Sequence, residues 1–174
     1  MKHTKKLVIT ALCIALGVVL PFAFHSIPNA GSVMLPMHIP VLLSGLLCGP
    51  LYGLAAGLLT PLLSSLITGM PPVAYLPSML CELAVYGLVA GLLIHFIKTK
   101  SSIANIYTAL IGAMMCGRLV YGLLNAVIFR AGEYSMVVWL TSAFVTSLPG
   151  IIIQLVVIPL IVIALRKAKL VQAV

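Results

Sequence analysis

Apolar residues run along this chain in blocks too long and too unbroken for helices that face water. Five stand out, at about 7–24, 33–68, 77–97, 105–129 and 141–165. A helix rises 1.5 Å per residue, so about 20 apolar residues cross a bilayer core of roughly 30 Å. Four blocks have that scale, and the second is nearly twice as long. It holds the stretch "SVMLPMHIPVLLSGLLCGPLYG", with Gly49-Pro50 near its middle. Proline lacks the N–H that would continue a helix and is suited to begin the next one. The block therefore reads as two spans meeting at an uncharged turn. The pattern predicts an all-α membrane protein, one integral domain over residues 1–174, with six transmembrane helices near 7–24, 35–49, 51–68, 77–97, 105–129 and 141–165.

Charge sets the orientation. Lys2, Lys5 and Lys6 lie at one end, Lys98 and Lys100 in one connection, and Arg166, Lys167 and Lys169 at the other end. Six spans put all three clusters on one side, where five would split them. Basic residues collect on the cytoplasmic flank, so both termini are expected there. Residues 25–36, 69–76 and 130–140 then lie outside, and 49–53 and 98–104 inside. Tyr75, Tyr134 and Trp139 fall near the outer interface, which favours amphipathic rings. The net charge of +8 does not point to nucleic acid, because it sits almost entirely at membrane flanks. The expected surroundings are a lipid bilayer. The basic, apolar start "LVITALCIALGVVLPFAF" is long enough to span and reads as a retained first helix and not a cleaved signal.

Composition narrows the function. With 63% hydrophobic and 7% charged residues and a mean hydropathy of +1.27, a sizeable soluble domain has no room. Cys13, Cys48, Cys81 and Cys116 fall in separate apolar blocks without ligand spacing, and read as packing residues. No P-loop, HExxH, GxSxG or cluster of carboxylates is present. The chain is expected to be no enzyme, to hold no metal or cofactor, and to depend on a partner for any ATP-driven step. The lack of an internal repeat weighs against a transporter of inverted repeats.

An ionisable group inside a span costs about 2.5–3.5 kcal/mol on insertion scales, so each one asks for a reason. The fourth span carries Glu82 and, one turn deeper, Tyr86. The fifth carries Arg118, Tyr121 and Asn125 at i, i+3 and i+7, one polar stripe. Ser147 and Gln154 lie on the sixth, His38 begins the second, and His25, Asn29 and Tyr75 belong to outer loops. His95, at the cytoplasmic end, reads as interfacial. Most of these groups fall in the outer half, with the inner half almost wholly aliphatic. That asymmetry predicts a pocket open to the outside, not a continuous channel. Glu82 and Arg118 can neutralise each other or hold a ligand, and both readings stand. Small residues recur four apart at Ala11/Ala15, Gly45/Gly49, Gly53/Gly57 and Gly87/Gly91, a spacing that allows close helix contact. On the otherwise featureless first helix, Ala11 and Ala15 offer a smooth face to another protein.

"LPMHIPVLLSGLLCGPLYGLAAGLLTPLLSSL", together with "TALCIALG", six short spans and basic cytoplasmic ends, resembles the S components of energy-coupling factor (ECF) vitamin transporters. The resemblance implies a six-helix bundle that binds a water-soluble vitamin with high affinity from outside. It implies association with a T subunit and two ATPase subunits, and release of the vitamin by toppling in the bilayer of a bacterial cell membrane. Carried over by region, the substrate site comprises Arg118, Glu82, Asn125, Tyr121, Tyr86, Gln154, Asn29, Tyr75 and His38. Ala11 and Ala15 match the motif that docks on the T subunit. Arginine's affinity for carboxylates makes pantothenate the first choice. Pyridoxine, hydroxymethylpyrimidine or a thiazole precursor are the alternatives: Glu82 resembles the placement used for an aminopyrimidine or another basic nitrogen, and "AYLPSML" resembles thiazole-type S components. The rival classes are an ion-coupled secondary carrier and a structural membrane protein without a ligand.

Overall fold

Gly49 alone makes the turn that divides the overlong block. Its φ of 104° and ψ of 179° belong to a region that side chains do not tolerate, and its N–H bonds the Gly45 carbonyl at 3.0 Å. Pro50 opens the next helix at once. The computed structural model describes residues 2–23, 30–97, 99, 101–129, 134–168 and 170–171. Its elements are α1 (His3–Ala23), α2 (Ala30–Met34), α3 (His38–Cys48), α4 (Pro50–Thr68), α5 (Leu76–Phe96), α6 (Ser102–Leu124), α7 (Met136–Leu140) and α8 (Leu148–Lys167). Beyond its α-helical part, α6 widens into a π-helical stretch at Asn125–Phe129, and α7 into another at Thr141–Thr146. Among the described residues, six helical stretches are long and apolar enough to cross a bilayer, so the six-span architecture holds.

The edges depart from the sequence expectation in three places. The first span begins at His3, not at residue 7, and the fifth at Ser102, not at 105. The last begins at Leu148, not at 141, because Pro149 suits a first turn and breaks an interior. The outer segments read as loops are partly helical: 25–36 contains α2 and 130–140 contains α7. Ser135 caps α7, its hydroxyl oxygen accepting the Val138 N–H at 3.3 Å.

At 11 residues α3 is too short to cross alone, and it is the most enclosed helix, with every residue but Ile39 buried. It packs on α5, α1, α4 and α8. The non-helical link at 35–37 above it lies at membrane depth, where backbone outside a helix is tolerated only when protein surrounds it. Leu35, Pro36 and Met37 are indeed buried. Leu35 has a positive φ of 51°, and its carbonyl accepts the His38 N–H at 3.1 Å. This strained link sets the start of α3 at His38.

Backbone contact between α4 and α5 anchors the bundle. A Cβ on Gly53 would collide with the Gly87 carbonyl, and one on Gly87 with the Gly53 carbonyl. Gly57 lies equally close to Leu83, and Gly91 to Pro50. Gly53, Gly57, Gly87 and Gly91 thus form one continuous seam. Lipid tails are as apolar as leucine, so close packing has to supply the attraction that the hydrophobic effect supplies in water.

The inner half is not wholly aliphatic, contrary to the sequence expectation. The Ser44 hydroxyl donates within reach of the Tyr52 carbonyl (3.2 Å) and Thr10 Oγ1 (3.4 Å), and Thr10 bonds back to Lys6 O at 2.9 Å. Buried Asn105 receives the Thr99 N–H at 2.9 Å. These groups satisfy one another locally, which is why they do not extend the polar cluster inward. The seam yields a direct test. Gly87→Ala should lower stability by about 2 kcal/mol or more, seen as a fall in the detergent melting temperature. Gly31→Ala, where nothing lies within 4 Å of the added Cβ, should change it little.

Candidate functional site

Three helices bring one polar cluster together in the outer half of the bundle. His38 enters from the first turn of α3, Glu82 and Tyr86 from one face of α5, and Arg118 from α6. All four are buried, as is Gln154 on α8. Arg118 Nη1 stands 3.3 Å from Glu82 Oε1, an ion pair, and His38 Nε2 lies 3.8 Å from the same oxygen. The His38 and Tyr86 rings meet edge to face, with centroids 5.1 Å apart. Gly117 makes room for this wall, since a Cβ there would lie 2.6 Å from the Tyr86 ring.

Much of the cluster's hydrogen-bonding capacity is unspent. Both ring nitrogens of His38, the Tyr86 hydroxyl, Nε and Nη2 of Arg118 and both amide atoms of Gln154 are buried without a hydrogen-bond partner. A buried donor or acceptor left unmade costs about 1–3 kcal/mol, more when charged. So many orphans on converging side chains describe a site built for a polar ligand or water. The Glu82–Arg118 pair by itself accounts only for Nη1 and leaves the Nε–Nη2 edge of the guanidinium open.

The remaining expected residues divide. Asn125 is buried, but its amide donates to the Tyr121 carbonyl at 2.8 Å, so its N–H serves the π-helical turn of its own helix. Tyr121 is half-buried beside it. Tyr75 is 45% exposed, just before α5. Asn29 and His25 lie outside the described residues. Ser147 spends its hydroxyl on the Ala143 carbonyl at 2.6 Å. Ala11 and Ala15 are exposed, so internal packing does not consume them. Ala11 also lines a groove of about 690 Å³ between α1 and α4, with Leu51, Ala55 and Leu59.

Trp139 exceeds its sequence reading as an interface anchor. Its indole N–H donates to the Arg118 carbonyl at 3.1 Å across 21 residues of chain. Its ring occupies the place where a Cβ on Gly122 would stand and meets Phe144 edge to face at 5.8 Å. The bond ties α7 to α6 at the residue that carries the guanidinium. Only the presence of a single tryptophan near the outer face signalled it, because no spacing links positions 118 and 139. Among the described residues, no group of three His, Cys, Asp or Glu could hold a metal ion.

Glu82 and Arg118 should behave as one unit. Glu82→Gln or Arg118→Gln alone leaves a buried charge uncompensated and should cost about 3–5 kcal/mol in the ligand-free protein. The double variant should cost less than the sum of the two, with coupling above about 1 kcal/mol in a thermal-unfolding cycle.

Residues 5–162 match the family described as "ECF transporter, substrate-specific component". No curated protein and no solved structure matches the chain. The family match spans all six membrane helices and every residue of the cluster, and the chain belongs to the ECF transporter substrate-specific component family.

Proposed function

We propose that this chain captures a water-soluble vitamin or vitamin precursor at the outer face of a bacterial cell membrane. It then delivers the ligand inward as the S component of an ECF importer. Membership of the family supports partnership with a T subunit and ATPase subunits. The observation that carries ligand capture is the set of buried, unpartnered polar atoms on His38, Tyr86, Arg118 and Gln154. A bundle that only had to fold would lower its free energy by replacing them with apolar groups.

The route follows from the same asymmetry. Polar groups converge in the outer half, while Thr10 with Ser44 and Thr99 with Asn105 bond each other in the inner half. Such a bundle offers no continuous polar path through its centre, so the loaded protein has to move as a body or open its helices. Toppling against the T subunit meets that requirement, with ATP used by the partners. The uncharged turn at Gly49-Pro50 accords with it, since a lysine there would be dragged through lipid. Pantothenate, expected from Arg118, and pyridoxine, hydroxymethylpyrimidine or a thiazole precursor, expected from Glu82 and from "AYLPSML", are the ligand chemistries in view.

Binding is tested on the purified chain in detergent by melting temperature across a vitamin panel, because a ligand that binds only the folded state raises it. A rise for one vitamin, with import by vesicles only when T subunit, ATPases and ATP are present, supports the reading. Import driven by an ion gradient in vesicles holding this chain alone would sink it. Replacing Ala11 or Ala15 by Leu should abolish that ATP-dependent import while leaving the ligand-induced melting shift unchanged. Loss of the shift would mean that this face serves the bundle's own packing.

A further inference from the structure

Given that this cluster is the ligand site, we infer that its ligand carries no net charge, being either uncharged or internally balanced, and presents both acceptors and donors. Glu82 and Arg118 are the only charged side chains in the outer half among the described residues. The other described charges are Lys2, Lys5 and Lys6 on or before α1, and Arg166 and Lys167 at the end of α8. The pair at 3.3 Å sums to zero. Glu82 and Tyr86 contact His38, and Arg118 shares the same carboxylate oxygen.

The open Nε–Nη2 edge of Arg118 has the fork geometry that suits a carboxylate. Charge argues the other way. A ligand carboxylate would share the guanidinium with Glu82 and leave the buried cluster one negative charge in excess, in surroundings where an uncompensated ion is strongly disfavoured. Two neutral acceptors, such as a carbonyl and a ring nitrogen, take the same two N–H groups without that excess. The orphaned Tyr86 hydroxyl and His38 ring supply both donors and acceptors for the rest of the ligand. Glu82 therefore acts as a selectivity residue, cancelling the charge that would otherwise draw acids.

Matched pairs in which a carboxylate replaces a neutral alcohol or amide test this at pH 8, where an ordinary imidazole is neutral: pantothenol against pantothenate, pyridoxine against 4-pyridoxate, nicotinamide against nicotinate, and hydroxymethylpyrimidine against its carboxylate. In the wild-type chain, the uncharged member of the best-binding pair should bind at least tenfold tighter by calorimetry. Equal or tighter binding of the acid overturns the inference, and this comparison needs no variant. Glu82→Gln should raise the acid-to-neutral affinity ratio at least tenfold, and Glu82→Gln with Arg118→Gln should bring it back. A ratio unmoved by Glu82→Gln in folded protein overturns it as well. Acid preference together with ATP-dependent import leaves the S-component reading standing and removes only the charge rule. No binding by any pair and no import removes both.

Discussion

Backbone-to-backbone contact between α4 and α5 is the constraint on which the rest of the structure depends. Gly53 and Gly87 bring the two helices so close that neither position can hold a methyl group, and Gly57 and Gly91 extend the contact along the same line. A membrane bundle gains little from burying apolar surface against apolar lipid, so short interhelical distance has to provide the cohesion. The seam also sets geometry. With α5 held against α4 and α3, the α5 face that bears Glu82 and Tyr86 is presented to His38 at the head of α3.

That placement explains how a polar cluster persists inside an apolar bundle. The break at 35–37 starts α3 below the outer face, and the strained Leu35 carbonyl accepts the His38 N–H. Gly117 lets α6 approach the Tyr86 ring and so delivers Arg118 to Glu82. Trp139 then bridges α7 to the backbone of the same arginine. Each device is local, yet together they surround one ion pair with side chains whose polar atoms are left open.

An ion pair with orphaned neighbours differs from a structural salt bridge. Where charges serve only the fold, surrounding groups complete their hydrogen bonds, as Thr10, Ser44, Thr99 and Asn105 do in the inner half. Around Glu82 and Arg118 they remain incomplete, although the surroundings are as dry. That difference between the two groups is what the proposed ligand site rests on.

The sequence by itself determined the span count, the orientation and the helices that carry polar side chains. Apolar length, the Gly49-Pro50 division and the side of the lysines are local or additive properties, and the bilayer reads them residue by residue. Small-residue spacing at 53/57 and 87/91 marked contact faces but not partners, because a four-residue interval says nothing of which helix lies opposite. Tertiary structure decided the pairings. It joined Arg118 to Glu82, put His38 on the same oxygen, turned Asn125 back onto its own helix and left Tyr75 exposed. It also drew Trp139 from the interface to the Arg118 carbonyl. These are relations between residues tens of positions apart, set by helix rotation and close approach, which hydrophobic period and charge count do not encode.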